Sequence, residues 1–65
     1  MKKFITAEED DQGNVTKGIE IYVNPANISY CEACGESTYI YFIDGVQAVR
    51  VYGKARDVVF ALERK

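Results

Sequence analysis

Cys31 and Cys34 carry the most reactive side chains in this sequence, and their C-x-x-C spacing has two chemical uses. Two thiolates on a tight turn ending in Gly35 can grip one side of a zinc ion, and a C-x-x-C at a helix start can act as a redox pair. Zinc takes four ligands. With no histidine and no second cysteine pair in the chain, only a dimer sharing one ion completes a four-thiolate site through Cys31 and Cys34. A redox pair needs a helix N-terminus beside it, whereas the residues after Cys34 are loop and strand formers. The plainer reading is that both are ordinary thiols behaving as small hydrophobes, so no cofactor is expected.

Other chemistry has little to stand on. The chain has no histidine, no G-x-S-x-G and no glycine-rich phosphate loop, and no pair of carboxylates has a reason to be buried together, so the expectation is a protein that is not an enzyme. The acidic run Glu8 to Asp11 lacks the ligand spacing and distal glutamate of a calcium loop and reads as a solvated loop.

The sharper candidate is an aromatic face. Tyr39, Tyr41, Arg50 and Tyr52 fall on one side of a β-hairpin, where they can meet a protein partner or a second copy of the chain, since Tyr and Arg are enriched at interfaces. The alternative is single-stranded nucleic acid, with bases stacked on the tyrosines and phosphates met by Arg50, Lys54 and Arg56. The bland reading is cross-strand packing worth a few tenths to about 1 kcal/mol per pair.

That face depends on a register. Thr38 to Ile43 is rich in β-branched and aromatic residues, Asp44-Gly45 is the dipeptide preferred in a two-residue type I′ turn, and Val46 to Tyr52 runs back. The two-residue turn pairs Ile43 with Val46, Tyr41 with Ala48 and Tyr39 with Arg50. It puts Ile40, Phe42, Val49 and Val51 on the opposite, core side.

Around the hairpin, Lys3 to Glu8 reads as a first strand, Glu9 to Asn14 as an exposed loop, and Val15 to Val23 as an alternating strand with Ile19, Ile21 and Val23 on one face. Asn24-Pro25-Ala26-Asn27 breaks the pattern, Ile28 to Ala33 resumes it, and Cys34 to Ser37 is a loop. From Lys54 onward, Ala55, Val58, Val59 and Leu62 form one stripe of a helix with Gly53 as a weak cap. The expected fold is α+β: a small twisted antiparallel sheet of about four to five short strands, closed by one C-terminal helix.

At 65 residues this is a single domain, 1–65, with a core small enough that a partner subunit would help to stabilise it. Apolar residues make up 48% and charged residues 28%, an ordinary globular balance. No apolar stretch follows Lys2-Lys3 as a signal peptide requires, and none approaches a membrane span, so a cytoplasmic protein with reduced thiols is expected. Residues 1–36 carry three lysines against seven acids, and residues 37–65 carry five basic residues against three acids. A mildly basic second half on an acidic chain lowers the nucleic-acid reading without removing it.

The run Ile28-Ser29-Tyr30-Cys31-Glu32-Ala33-Cys34-Gly35, then Ser37-Thr38-Tyr39-Ile40, Asp44-Gly45 and the segment ending Val58-Val59-Phe60-Ala61-Leu62-Glu63 resembles the opening part of a LytTR-type DNA-binding domain. Asn24-Pro25 before a hairpin and helix is similar, more loosely, to the short FlbD-type flagellar proteins. The resemblance implies the order of strands and helix and a regulatory role. It transfers no DNA-contacting residue to this chain.

Overall fold

The computed structural model describes every residue except Val46 and Lys65. Among the described residues it has five strands, β1 (Lys2–Glu9), β2 (Val15–Val23), β3 (Ile28–Cys34), β4 (Ser37–Phe42) and β5 (Val49–Tyr52), and the α-helix α1 (Ala55–Glu63), with a short 3₁₀ turn between β2 and β3. The strands make one antiparallel sheet in the order β2-β1-β5-β4-β3, with α1 against one side. The α+β architecture expected from the sequence is what forms.

The loop between β1 and β2 is held by its first residue. Asp10 accepts the backbone N–H groups of Gln12 and Asn14 on one carboxylate oxygen, both at 2.9 Å, which makes a turn of the acidic run. Opposite Thr6, β2 carries an extra residue at Gly18-Ile19, and the Ile19 N–H donates to Thr6 Oγ1 instead of to a strand carbonyl. This bulge leaves Ile19 67% exposed, so it does not join Ile21 and Val23 in the core as the alternation suggested. A second bulge sits at Ser29 in β3. Both edge strands are therefore irregular, a common guard against unwanted pairing.

β2 and β3 are neighbours in sequence but opposite edges of the sheet. Four strand spacings amount to about 19 Å, whereas the stretch from Val23 to Ile28 spans roughly 13 Å because its middle is a 3₁₀ turn. That turn, Pro25–Asn27, is capped by the Asn24 side chain accepting from the Ala26 N–H. The short link requires the two edges to approach each other, so the sheet is curved and not flat.

Thr38–Val51, Tyr39–Arg50 and Ile40–Val49 pair as the hairpin register requires. The turn itself differs. Gly45 has φ +82°, but Asp44 does not have the positive φ that type I′ needs at both central residues, and the Gly45 N–H donates to the Phe42 carbonyl. The Ile43 N–H is drawn to Asn27 O at 2.8 Å, which ends β4 at Phe42 and widens the connection. The expected Ile43–Val46 pair lies outside the described residues. Ser37, expected in a loop, begins β4 and is fully buried, because Gly35-Glu36 alone make the turn from Cys34.

The core gathers Phe4, Val23, Ile40, Val51 and Val58, with Phe42, Val49, Ala61 and Leu62 packed around it. Ile40 and Val51 are wholly enclosed, each contributing about 1.5–3 kcal/mol by burial. Lys54, not Gly53, precedes the first helical residue, and its side chain caps nothing. Ala61 replaces Val59 in the buried stripe, since the sheet meets the helix one position further round than the i, i+3, i+4 count placed it.

Candidate functional site

The side of the sheet that α1 does not cover is built by odd positions of β1, β4's Tyr39 and Tyr41, and the residues opposite them. Glu32 and Arg50 flank Tyr39 on neighbouring strands, and Tyr30 lies across from Tyr41. The rings of Tyr30 and Tyr41 stack with centroids 4.4 Å apart and planes 10° from parallel. The Tyr41 hydroxyl donates to Glu32 at 3.2 Å; reduced solvation and that carboxylate together hold its pKa above the ordinary phenol value.

Arg50 is the organising charge. Its Nε donates to Ser37 Oγ at 2.8 Å, its Nη1 to Glu9 at 3.0 Å, and its guanidinium lies over the Tyr39 ring at 5.6 Å. Ser37 Oγ in turn donates to the Cys34 carbonyl. The hydrogen bond it donates to Glu9 raises the Arg50 pKa and keeps the guanidinium protonated, and its side chain is only 17% exposed. Tyr52 stands at the other end of β5 with the Lys17 ammonium 5.2 Å from its ring centre.

Tyr39, Tyr41, Arg50 and Tyr52 thus do share one face, and Arg50 acts within it as a strut. Lys54 and Arg56 do not join Arg50: they sit at the start of α1, on the other side of the sheet, with Arg56 3.7 Å from Asp57. Tyr30 is the residue the sequence reading missed. Counting back from Gly35-Glu36 as a two-residue turn pairs Tyr30 with Tyr41 directly, so the signal was present in the C-terminal half of β3.

Cys31 and Cys34 are separated by the pleat. Residues three apart in a strand point to opposite faces. Cys31 packs with the core, where burial pushes its thiol pKa up, while Cys34 lies near Arg50 on the tyrosine side. The two sulfurs do not grip one ion together, so the shared zinc site is withdrawn. No group of three or more metal-binding side chains occurs among the described residues.

On the helix side, where β2 and β4 end, Ile21, Val23, Phe42 and Val49 line an apolar hollow of about 350 Å³ with Asn24 and Asn27 at its rim. No helix among the described residues is long and apolar enough to cross a membrane. No family model matches the chain, and neither a curated protein nor a solved structure is similar enough to count as a match.

Proposed function

We propose that this chain is a small non-catalytic interaction module that binds a protein segment across the helix-free face of its sheet. The Tyr30–Tyr41 stack carries the reading: an aromatic pair on an open face, with Tyr30 56% exposed. Large planar side chains held in place by neighbours bind with little loss of freedom, which is why tyrosine concentrates at interfaces.

Charge favours protein over nucleic acid. Lys3, Lys17 and Arg50 share this face with Glu9, Glu20 and Glu32, an even balance, whereas nucleic-acid surfaces carry a clear positive excess. Both edge strands carry bulges, so a partner meets the side chains of the face more readily than it adds a strand.

Placing a photo-crosslinking amino acid at Tyr30 in cells that make the protein tests this. A discrete protein adduct that disappears with Tyr41→Ser is the expected result. Absence of any adduct, or oligonucleotide binding that falls steeply with salt and needs Tyr30 and Tyr41, would overturn it.

A further inference from the structure

Tyr39 and Tyr30 share the helix-free face but differ in what flanks them. Beside Tyr39 an arginine is in place: the Arg50 guanidinium lies 5.6 Å from the ring centre while its Nη1 donates to the Glu9 carboxylate at 3.0 Å. Guanidinium groups favour this setting, because they stack on rings and donate to carboxylates in one pose. That arginine comes from the adjoining strand, β5.

Tyr30 has a ring and a glutamate without the arginine. Its strand β3 ends the sheet, so Tyr41 covers one side of the ring and no strand follows to cover the other, leaving Tyr30 56% exposed. Glu32 stands two residues on, on the same side of β3. Its Oε1 accepts the Tyr41 hydroxyl at 3.2 Å, which holds the carboxylate at the rim of the stack. One hydroxyl occupies a small part of a group that accepts several donors.

We propose that the partner segment lays an arginine side chain on the outer side of the Tyr30 ring, with its guanidinium donating to Glu32. This rests on the face being a protein-binding surface and names the chemistry that the surface takes. Charge complementarity supports it. Glu32 is the one charged side chain of β3 and β4, and no lysine or arginine occurs from residue 18 to residue 49. Arg50 is held by Glu9, Lys17 lies over Tyr52, and the basic residues at the start of α1 are on the other side of the sheet. An acidic segment or a phosphate would meet Glu32 with nothing to offset it, whereas a cation gains the ring and the carboxylate together. Arginine suits the site better than lysine, whose compact, strongly hydrated ammonium cannot lie flat on a ring.

Selection of a random peptide library on the immobilised full chain tests this. The enriched peptides are expected to share an arginine. Its replacement by lysine is expected to weaken binding several-fold, and Glu32→Gln in the chain to weaken it roughly five-fold. Glu32→Lys is expected to turn the selection from arginine to aspartate and glutamate, a reversal that a merely structural role of Glu32 would not give. Both variants are expected to keep the wild-type circular dichroism, since Glu32 is exposed. Enriched peptides that need Tyr30 but carry no arginine overturn this inference and leave the protein-binding face standing. Selection that yields no peptide sensitive to Tyr30→Ser overturns both. Self-association that sedimentation shows to be lost with Glu32→Gln makes a second copy the occupant and overturns a separate partner.

Discussion

Arg50 and Glu9 join across the seam between β5 and β1, Nη1 to carboxylate oxygen at 3.0 Å. The seam unites the N-terminal hairpin with the β3–β4–β5 unit, and the same guanidinium also satisfies Ser37, which is fully buried. Arg50→Gln is therefore expected to lower stability in urea unfolding more than Glu9→Gln, because it removes the charged donor to the buried Ser37 hydroxyl as well as breaking an ion pair. The Glu9→Gln effect is expected to shrink at high salt, and equal effects from the two changes would show that the Ser37 bond adds nothing.

Ile40 is wholly enclosed among Val51, Val58 and Phe4, so Ile40→Ala is expected to cost about 2–5 kcal/mol, enough to unfold much of a marginal domain. Phe60→Ser is expected to stay within about 0.5 kcal/mol of wild type, because Phe60 is 63% exposed. Chemical denaturation of both variants checks the contrast.

Gly53 sits at φ +125°, where its N–H donates to Glu36 and its carbonyl accepts from Thr38 Oγ1. A Cβ there would find ordinary room 3.6 Å from Val58, so the penalty for Gly53→Ala is conformational and not steric. The expected loss is about 1–3 kcal/mol, read from thermal unfolding. A neutral result would mean that the backbone relaxes without breaking either bond.

The backbone N–H groups of Asn14 and Gln12 hold the Asp10 carboxyl below its ordinary range. Its folded pKa lies below its unfolded one, so the charged form stabilises the fold above the unfolded pKa. That contribution fades as pH falls through the folded value. Wild type is expected to exceed Asp10→Asn in stability at neutral pH, with the gap closing in strong acid. An NMR titration placing Asp10 at or above the usual aspartate value would contradict this.

Both cysteines are free, and the pleat turns them to opposite faces. Mild oxidant is expected to leave the monomer mass without the loss of two hydrogens that an internal disulfide brings. Cys31, with its thiol pKa raised by burial, is expected to alkylate slowly near neutral pH. Rapid internal bridging would require β3 to open.

What the sequence disclosed follows the range of each interaction. The Tyr39–Arg50 and Ile40–Val49 pairs were readable because they depend on alternation over a few residues. The order β2-β1-β5-β4-β3 was not, since Thr6 meets Val51 across most of the chain and no local preference encodes that meeting. Asp44-Gly45 misled because Asn27, distant in sequence, claims the Ile43 N–H. The tyrosine face was legible in three of its four rings on β3, β4 and β5, and Tyr30 escaped because Gly35-Glu36 was not recognised as a complete turn.

The interruptions in the two rim strands limit how the protein can go wrong. Amyloid-type zippers recruit uninterrupted segments of about six or seven residues. Here Gly18-Ile19 divides β2 into Val15 to Lys17 and Glu20 to Val23, and Ser29 leaves β3 only Tyr30 to Cys34 in regular register. Neither rim offers a long enough template while the domain stays folded, so crowded solutions of the native protein resist fibre growth.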